Sequence, residues 1–355
     1  MGENSSIQWT THTFSPWVGC QRVSPGCEHC YAESYDRRVG GVPKKQRADP
    51  AVPETRWGPK GRRTRTSVSN WNQPEKWNEA ARRAEDSALG NGRPAPERPR
   101  VFCASLADVF EDRPELAPWR LELLEMIRTT PHLDWLLLTK RPEQIRPALQ
   151  AARDSFRTST PLDTWLCSWL DHHRPPANVW LGTTVEDQQR ADERIPALLD
   201  VPARVRFLSC EPLLERVDLD RHGLLWRDCS RCKGSMSLPV TGGGRACPDC
   251  LEHQGVERAG IDWVIIGGES GGGARPFALE WARDLVRQCK DSGTAVFVKQ
   301  LGAVPVDITG TTGRFRTHEG RRQMQVVATR IRLNDPAGGD MAEWPEDLRV
   351  REFPR

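Results

Sequence analysis

The sequence predicts an α/β fold, a partial or irregular (β/α) barrel that carries an inserted lobe. Short apolar runs alternate with helical patterns at a spacing of about 30 to 45 residues. Charged residues collect at the C-terminal ends of those runs, where a barrel builds its site. Four cysteines interrupt the rhythm between residues 226 and 260. Counting a first strand around Thr11 to Trp17 there are seven strands, which favours a partial or irregular barrel over a doubly wound sheet with a switch-point site, the alternative.

The elements follow in order. A first strand spans Thr11 to Trp17 and runs into a loop with three cysteines. Tyr31 to Arg38 opens a helix, and the Gly/Pro-rich basic stretch to about Ser69 reads as a long loop. Pro74 to Asp86 has proline early and helix formers behind it, and Gly90 to Pro99 is a linker. Val101–Ala104 is a strand with Asp108 beyond it, followed by a helix through Trp119 to Arg128. Asp134–Thr139 is the next strand, with Lys140 and Arg141 at its end, and Pro142 starts a helix to about Arg153. Residues 154–177 read as an insertion. Asn178–Thr183 leads to Thr184 and Glu186, then to a helix over Gln188–Leu199. Val205–Ser209 ends in Cys210 and Glu211. Ile261–Ile266 ends in Gly267, Gly268, Glu269 and Ser270, a helix covers Leu279 to Lys290, and Ala295–Val298 ends in Lys299 and Gln300. Near-continuous apolar runs fit strands covered on both faces.

A chain of 355 residues suits one large domain with insertions, divided as 1–225 (barrel with the cysteine loop and the basic loop), 226–260 (inserted lobe) and 261–355 (the last barrel part and a C-terminal extension). Hydrophobic content is only 37%, but 14 tryptophans supply large core side chains. No run approaches the roughly 18 apolar residues of a membrane helix, and Met1-Gly2-Glu3-Asn4 lacks a signal peptide's basic start. The expectation is a soluble, cytoplasmic protein with no membrane partner. In a reducing compartment, clustered cysteines signal metal or redox chemistry more than disulfides.

Net charge is +3, and its distribution matters more than its sum. Between residues 37 and 65 stand Arg37, Arg38, Lys44, Lys45, Arg47, Arg56, Lys60, Arg62, Arg63 and Arg65, against Asp49 and Glu54. Such a block suits phosphates and points to nucleic acid as a partner, with a solvated basic loop as the plainer reading.

The cysteines form two groups. Cys229, Cys232, Cys247 and Cys250, as Cys-x2-Cys-x14-Cys-x2-Cys, come close to the closed four-cysteine zinc pattern, so a structural zinc is expected in the lobe. Cys20, Cys27 and Cys30, as Cys-x6-Cys-x2-Cys, offer three thiolates. Three ligands leave an open position on a [4Fe-4S] cluster or on zinc, and spacing alone leaves both in play.

The segment Pro16-Trp-x-Gly-Cys20 through Gly26-Cys27-x-x-Cys30-Tyr-Ala resembles the cluster loop of radical S-adenosylmethionine enzymes of the spore photoproduct lyase-like group. More closely, the chain is similar to a phage- and prophage-associated three-cysteine-motif family, the phage Gp-type radical SAM-like proteins. Ile7-Gln-Trp-Thr, the Gly267-Gly-Glu-Ser-Gly-x-x-Ala-Arg-Pro276 segment, Val298-Lys-Gln-Leu-Gly302 and Glu343 to Pro354 carry that likeness. The resemblance implies a TIM-barrel-like scaffold of the radical SAM type with a [4Fe-4S] cluster on Cys20, Cys27 and Cys30. Its open iron would bind S-adenosylmethionine, and a reducing partner would supply the electron that cleaves it. His29 stands where such enzymes place an aromatic residue beside the adenine, and Gly267, Gly268, Glu269 and Ser270 would contact the cofactor. Glu186, Glu211, Lys299 and Lys140, at strand ends, are the candidate catalytic residues. The sequence departs from the usual pattern in two places, the six-residue gap after Cys20 and a Gly-Gly-Glu at the sixth strand instead of the second. The expected function is a radical SAM-like iron–sulfur enzyme abstracting a hydrogen from a nucleic acid or nucleotide. The alternative is a non-catalytic, zinc-bearing nucleic-acid-binding or phage accessory protein.

Overall fold

The computed structural model describes residues 2–39, 55–219, 221, 237–238, 245–246, 260–316 and 322–354. The chain divides into two compact units, Met1–Thr184 with Glu193–Arg206, and Val185–Asp192 with Phe207–Arg355. In chain order the first elements are β1 (His12–Phe14), β2 (Trp17–Val18), α1 (Tyr31–Arg38), β3 (Thr64–Arg65), α2 (Val68–Trp71), α3 (Gln73–Gly90) and β4 (Arg100–Cys103). Next come α4 (Ala117–Thr129), β5 (Asp134–Thr139), α5 (Ile145–Asp154), α6 (Pro161–Leu170), β6 (Val179–Thr184), α7 (Gln188–Leu199) and β7 (Val205–Cys210). The last are β8 (Ser237–Leu238), β9 (Arg245–Ala246), β10 (Trp263–Gly267), β11 (Phe277–Ala278), α8 (Leu279–Ser292), β12 (Ala295–Gln300), β13 (Pro305–Arg316) and β14 (Arg322–Arg330).

The fold is α/β, with an open seven-stranded parallel sheet in the order β1-β4-β5-β6-β7-β10-β12. That order follows the chain without reversal, the winding of a partial barrel, and lacks the switch point of a doubly wound sheet. All six positions of β6 are buried, as are those of β7, as expected for strands covered on both faces.

The first unit is built around aromatic side chains. Phe14 meets Trp71 and Trp135 edge-on, with centroids 5.6 and 5.8 Å apart, and the Trp135 indole N–H donates to Thr130 Oγ1 at 3.0 Å. Each such ring pair adds about 0.5–1.5 kcal/mol beyond its area. Residues 154–177, read from sequence as an insertion, contain α6, whose Leu166 and Trp169 are fully buried. Its start is locally encoded: Pro161 occupies the first turn, and the Thr160 hydroxyl accepts from the Asp163 N–H at 3.1 Å. The stretch expected to be a loop up to Ser69 likewise holds β3 and α2, and β3 pairs antiparallel with β2, matching Trp17 to Arg65.

In the second unit Trp263 packs on Phe207, Phe297 and Phe353 and donates its indole N–H to the Glu352 carbonyl at 2.8 Å. The last residues cover the free edge of β12: Val298 N–H donates to Val350 and Glu352 N–H to Val296, both at 2.9 Å. In the first unit Gly2 bridges Thr13 on the free edge of β1. At these positions the edge backbone groups are paired within the chain. The C-terminal extension also includes β13 and β14, an antiparallel pair with β11 parallel to β13.

Candidate functional site

Where β4 and β5 end, one carboxylate organises the chain. Asp108 accepts from Thr139 Oγ1 at 2.7 Å, Phe110 N at 3.1 Å, Lys140 N at 3.1 Å and Arg141 Nη1 at 2.9 Å. Both of its oxygens are thereby held. Arg141 continues outward, its Nη1 lying 3.6 Å from Cys20 Sγ and its Nη2 donating to the Gln21 carbonyl at 2.7 Å. The cysteine loop is therefore clamped to the end of β5. Arg63 and Glu111 make a second, bidentate pair at 2.7 and 2.5 Å, with side chains only 0% and 3% exposed. Arg63 Nη1 also donates to the carbonyls of Arg56 and Gly61 at 2.7 Å. Arg120 donates to the Val109 and Glu111 carbonyls, both at 2.8 Å. Buried charges persist when paired and hydrogen-bonded in this way.

The cysteine loop meets the 55–63 loop backbone to backbone. Gly58 N–H donates to the Cys20 carbonyl at 2.9 Å, and a Cβ on Gly19, which has φ +111°, would stand 2.3 Å from the Arg56 carbonyl. Only glycine fits there. Cys20 and Cys30 pack on the apolar cluster of Ala32, Trp57 and Leu106. Burial, with Asp108 and Glu111 nearby and Arg141 pulling the other way, pushes the Cys20 thiol up to about 12, so it is protonated at neutral pH. Cys27 closes the short turn Pro25–Cys27, with Ser24 Oγ 3.9 Å from its sulfur. His29 is exposed. Lys140 directs Nζ to Thr184 Oγ1 at 3.2 Å.

In the second unit the expected residues do meet. Glu211, past β7, forms an ion pair with Lys299 in β12, and β10 lies between those strands. Gly267, the last residue of β10, makes room for that pair: a Cβ there would lie 3.3 Å from Glu211 Cδ. Gly268 N–H donates to the Gln300 carbonyl at 3.1 Å, and Gln300 Nε2 returns a bond to the Gly268 carbonyl at 2.8 Å. Glu269 is engaged by Arg275, accepting from its backbone N–H at 2.8 Å and its Nε at 3.1 Å. Ser270 is exposed, and Glu186 is fully buried with its carbonyl accepting from Leu214 N–H at 2.8 Å.

The surface of α1 carries the remaining charge. On its inner side Asp36 accepts from Arg56 at 2.5 Å and from the Trp57 indole N–H at 3.0 Å. Glu33 receives both Arg22 at 2.8 Å and Arg37 at 2.5 Å. Its outer side presents Tyr31, Ser34, Tyr35 and Arg38, all exposed.

A family described as a protein of unknown function, DUF5131, matches residues 4–328. The chain belongs to that family. No curated protein and no solved structure matches it.

The metal expectation is overturned. Among the described residues no group of three or more His, Cys, Asp or Glu side chains could hold a metal ion. The geometry agrees: the Cys20 sulfur faces the Arg141 guanidinium at 3.6 Å and the apolar wall of Ala32, Trp57 and Leu106, while the Cys27 sulfur lies 3.9 Å from Ser24 Oγ in its own turn. With that site fall the [4Fe-4S] cluster on Cys20, Cys27 and Cys30, the S-adenosylmethionine it would bind and the radical SAM-like enzyme. For Cys20, Cys27 and Cys30 the zinc-bearing alternative falls on the same finding, and no iron–sulfur, zinc or S-adenosylmethionine chemistry is assigned among the described residues. Cys229, Cys232, Cys247 and Cys250 themselves lie outside the described residues, as do Lys44, Lys45 and Arg47 of the basic segment. No helix among the described residues is long and apolar enough to cross a membrane.

Sequence reasoning missed Arg63, Glu111, Tyr31 and Tyr35. Arg63 looked like one more cation of the basic block, and nothing local distinguishes it. The tyrosines had a signal: they are the only two in the chain, and they stand four residues apart on a helix.

Proposed function

We propose that this protein binds nucleic acid through its phosphate backbone, on the face formed by α1 and the loop 55–63. The observation that carries this reading is what remains after the fold has neutralised its own charges. Arg56, Arg63 and Arg65 are spent on Asp36, Glu111 and Glu122. Arg22 and Arg37, both largely exposed, share the single carboxylate of Glu33. Arg38, Lys60 and Arg62 are exposed with no carboxylate partner among the described residues. The surface thus keeps a cationic excess on a rigid base, and phosphates complement it. The buried Arg56–Asp36 and Arg63–Glu111 pairs hold the backbone of the loop that carries Lys60 and Arg62.

Salt titration tests this. Affinity for a labelled oligonucleotide should fall steeply with salt. The combined Arg38→Ala, Lys60→Ala and Arg62→Ala variant should lower the slope of log K against log salt by about 2 to 3, since each cation that neutralises a phosphate adds about 1 to it. Binding indifferent to salt, or an unchanged slope in the variant, defeats the proposal.

A further inference from the structure

Exposed apolar side chains are concentrated around the cysteine loop and α1. Of the six large hydrophobic side chains exposed among the described residues, Val23, Tyr31, Tyr35 and Val39 lie within or beside the cysteine loop and α1. Tyr31 is 56% and Tyr35 39% exposed. Neither ring is loosely held. The Tyr31 hydroxyl donates to the Ser105 carbonyl at 2.6 Å, and the Arg38 guanidinium lies 5.7 Å from the centre of the Tyr35 ring. Ala32, Glu33 and Asp36 occupy the buried side of α1, and both rings lie on its exposed side, Tyr31 tied to the fold through its hydroxyl.

We infer that this face takes single-stranded nucleic acid, with Tyr31 and Tyr35 each stacking on a base and Arg38, Lys60 and Arg62 following the phosphates. The inference rests on the nucleic-acid reading above and narrows it. Stacking on an aromatic ring needs an open base face, which a single strand offers and the interior of a duplex does not. The spacing agrees. Four residues of helix separate the rings by about 6 Å along its axis, nearly twice the roughly 3.4 Å rise of stacked bases in a duplex strand. The platform therefore suits bases drawn apart. Stacking reads ring faces and not base edges, so this recognition tolerates sequence.

The test compares fluorescein-labelled oligothymidine with a duplex of equal length, at low salt, using anisotropy. Wild type should prefer the single strand. Tyr35→Leu keeps apolar area but removes the ring and should weaken single-strand binding roughly 5- to 150-fold, the loss of one stacked base. Tyr35→Phe should bind like wild type. Tyr31→Leu should weaken binding similarly. Both rings are exposed, so circular dichroism should show wild-type unfolding for the Tyr35 variants. Equal affinity for duplex and single strand, or wild-type binding by Tyr35→Leu, overturns the single-strand inference while leaving phosphate binding intact. No salt-sensitive binding of either form overturns both.

Discussion

The strand ends of the two units solve one problem in two ways. In the first, Arg141–Asp108 and Arg63–Glu111 are almost wholly buried and every partner is multiply hydrogen-bonded. In the second, Glu211 and Lys299 pair across Gly267 with side chains 17% and 18% exposed. The first arrangement fixes loops; the second closes a strand end with a pair that water still reaches. Burial decides which charges are structural and which remain adjustable, because a desolvated charge left alone costs far more than a hydrated one.

Breaking the buried pair should have the largest effect. Glu111→Ala leaves the Arg63 guanidinium buried and uncompensated, and should cost about 3–5 kcal/mol of unfolding free energy in urea titration. Arg63→Met combined with Glu111→Leu removes both charges and should recover much of that loss. A single variant as stable as wild type would mean that the pair does not anchor the 55–63 loop.

The same contrast marks what was legible in the sequence. Strands at 134–139 and 205–210 were readable because uninterrupted apolar runs between polar ends have few alternatives. Lys299 and Glu211 were placed correctly at strand ends, since parallel βα units send those ends to one side. Their pairing was not readable, because it depends on β7 and β12 flanking β10. At Cys20 spacing misled. Cysteines seven and three positions apart are compatible with a shared metal, but the loop between them is directed by Arg141 and Trp57, both remote in sequence. The Asp108 network joins residues from three segments, 20–21, 108–110 and 139–141, and no local pattern encodes it.

The Cys20 thiol gives the contrast a pH signature. Its folded value, about 12, lies above the ordinary 9.0, so the native state holds a proton that the unfolded chain releases. Stability from this group is complete below pH about 9 and is lost as pH rises toward 12, by at most about 1.4 kcal/mol per pH unit. Cys20→Ala should unfold with a shallower alkaline slope between those limits. An identical slope in both proteins would place the sulfur in contact with water.

The smallest effect is expected at the partly exposed pair of the second unit. Lys299→Met keeps most of the aliphatic stem and leaves Glu211 close enough to solvent to rehydrate, so the cost should be about 1 kcal/mol or less. Because water reaches the pair, added salt should narrow the gap between wild type and variant, whereas the gap opened by Glu111→Ala should hardly respond. Gly267→Ala refines the measurement. Its methyl group would meet the flexible end of Glu211 at 3.3 Å, not backbone, so the side chain can yield and the pair should weaken without loss of the fold. If Lys299→Met costs as much as Glu111→Ala and ignores salt, the two strand ends are energetically alike, and exposure does not separate their roles.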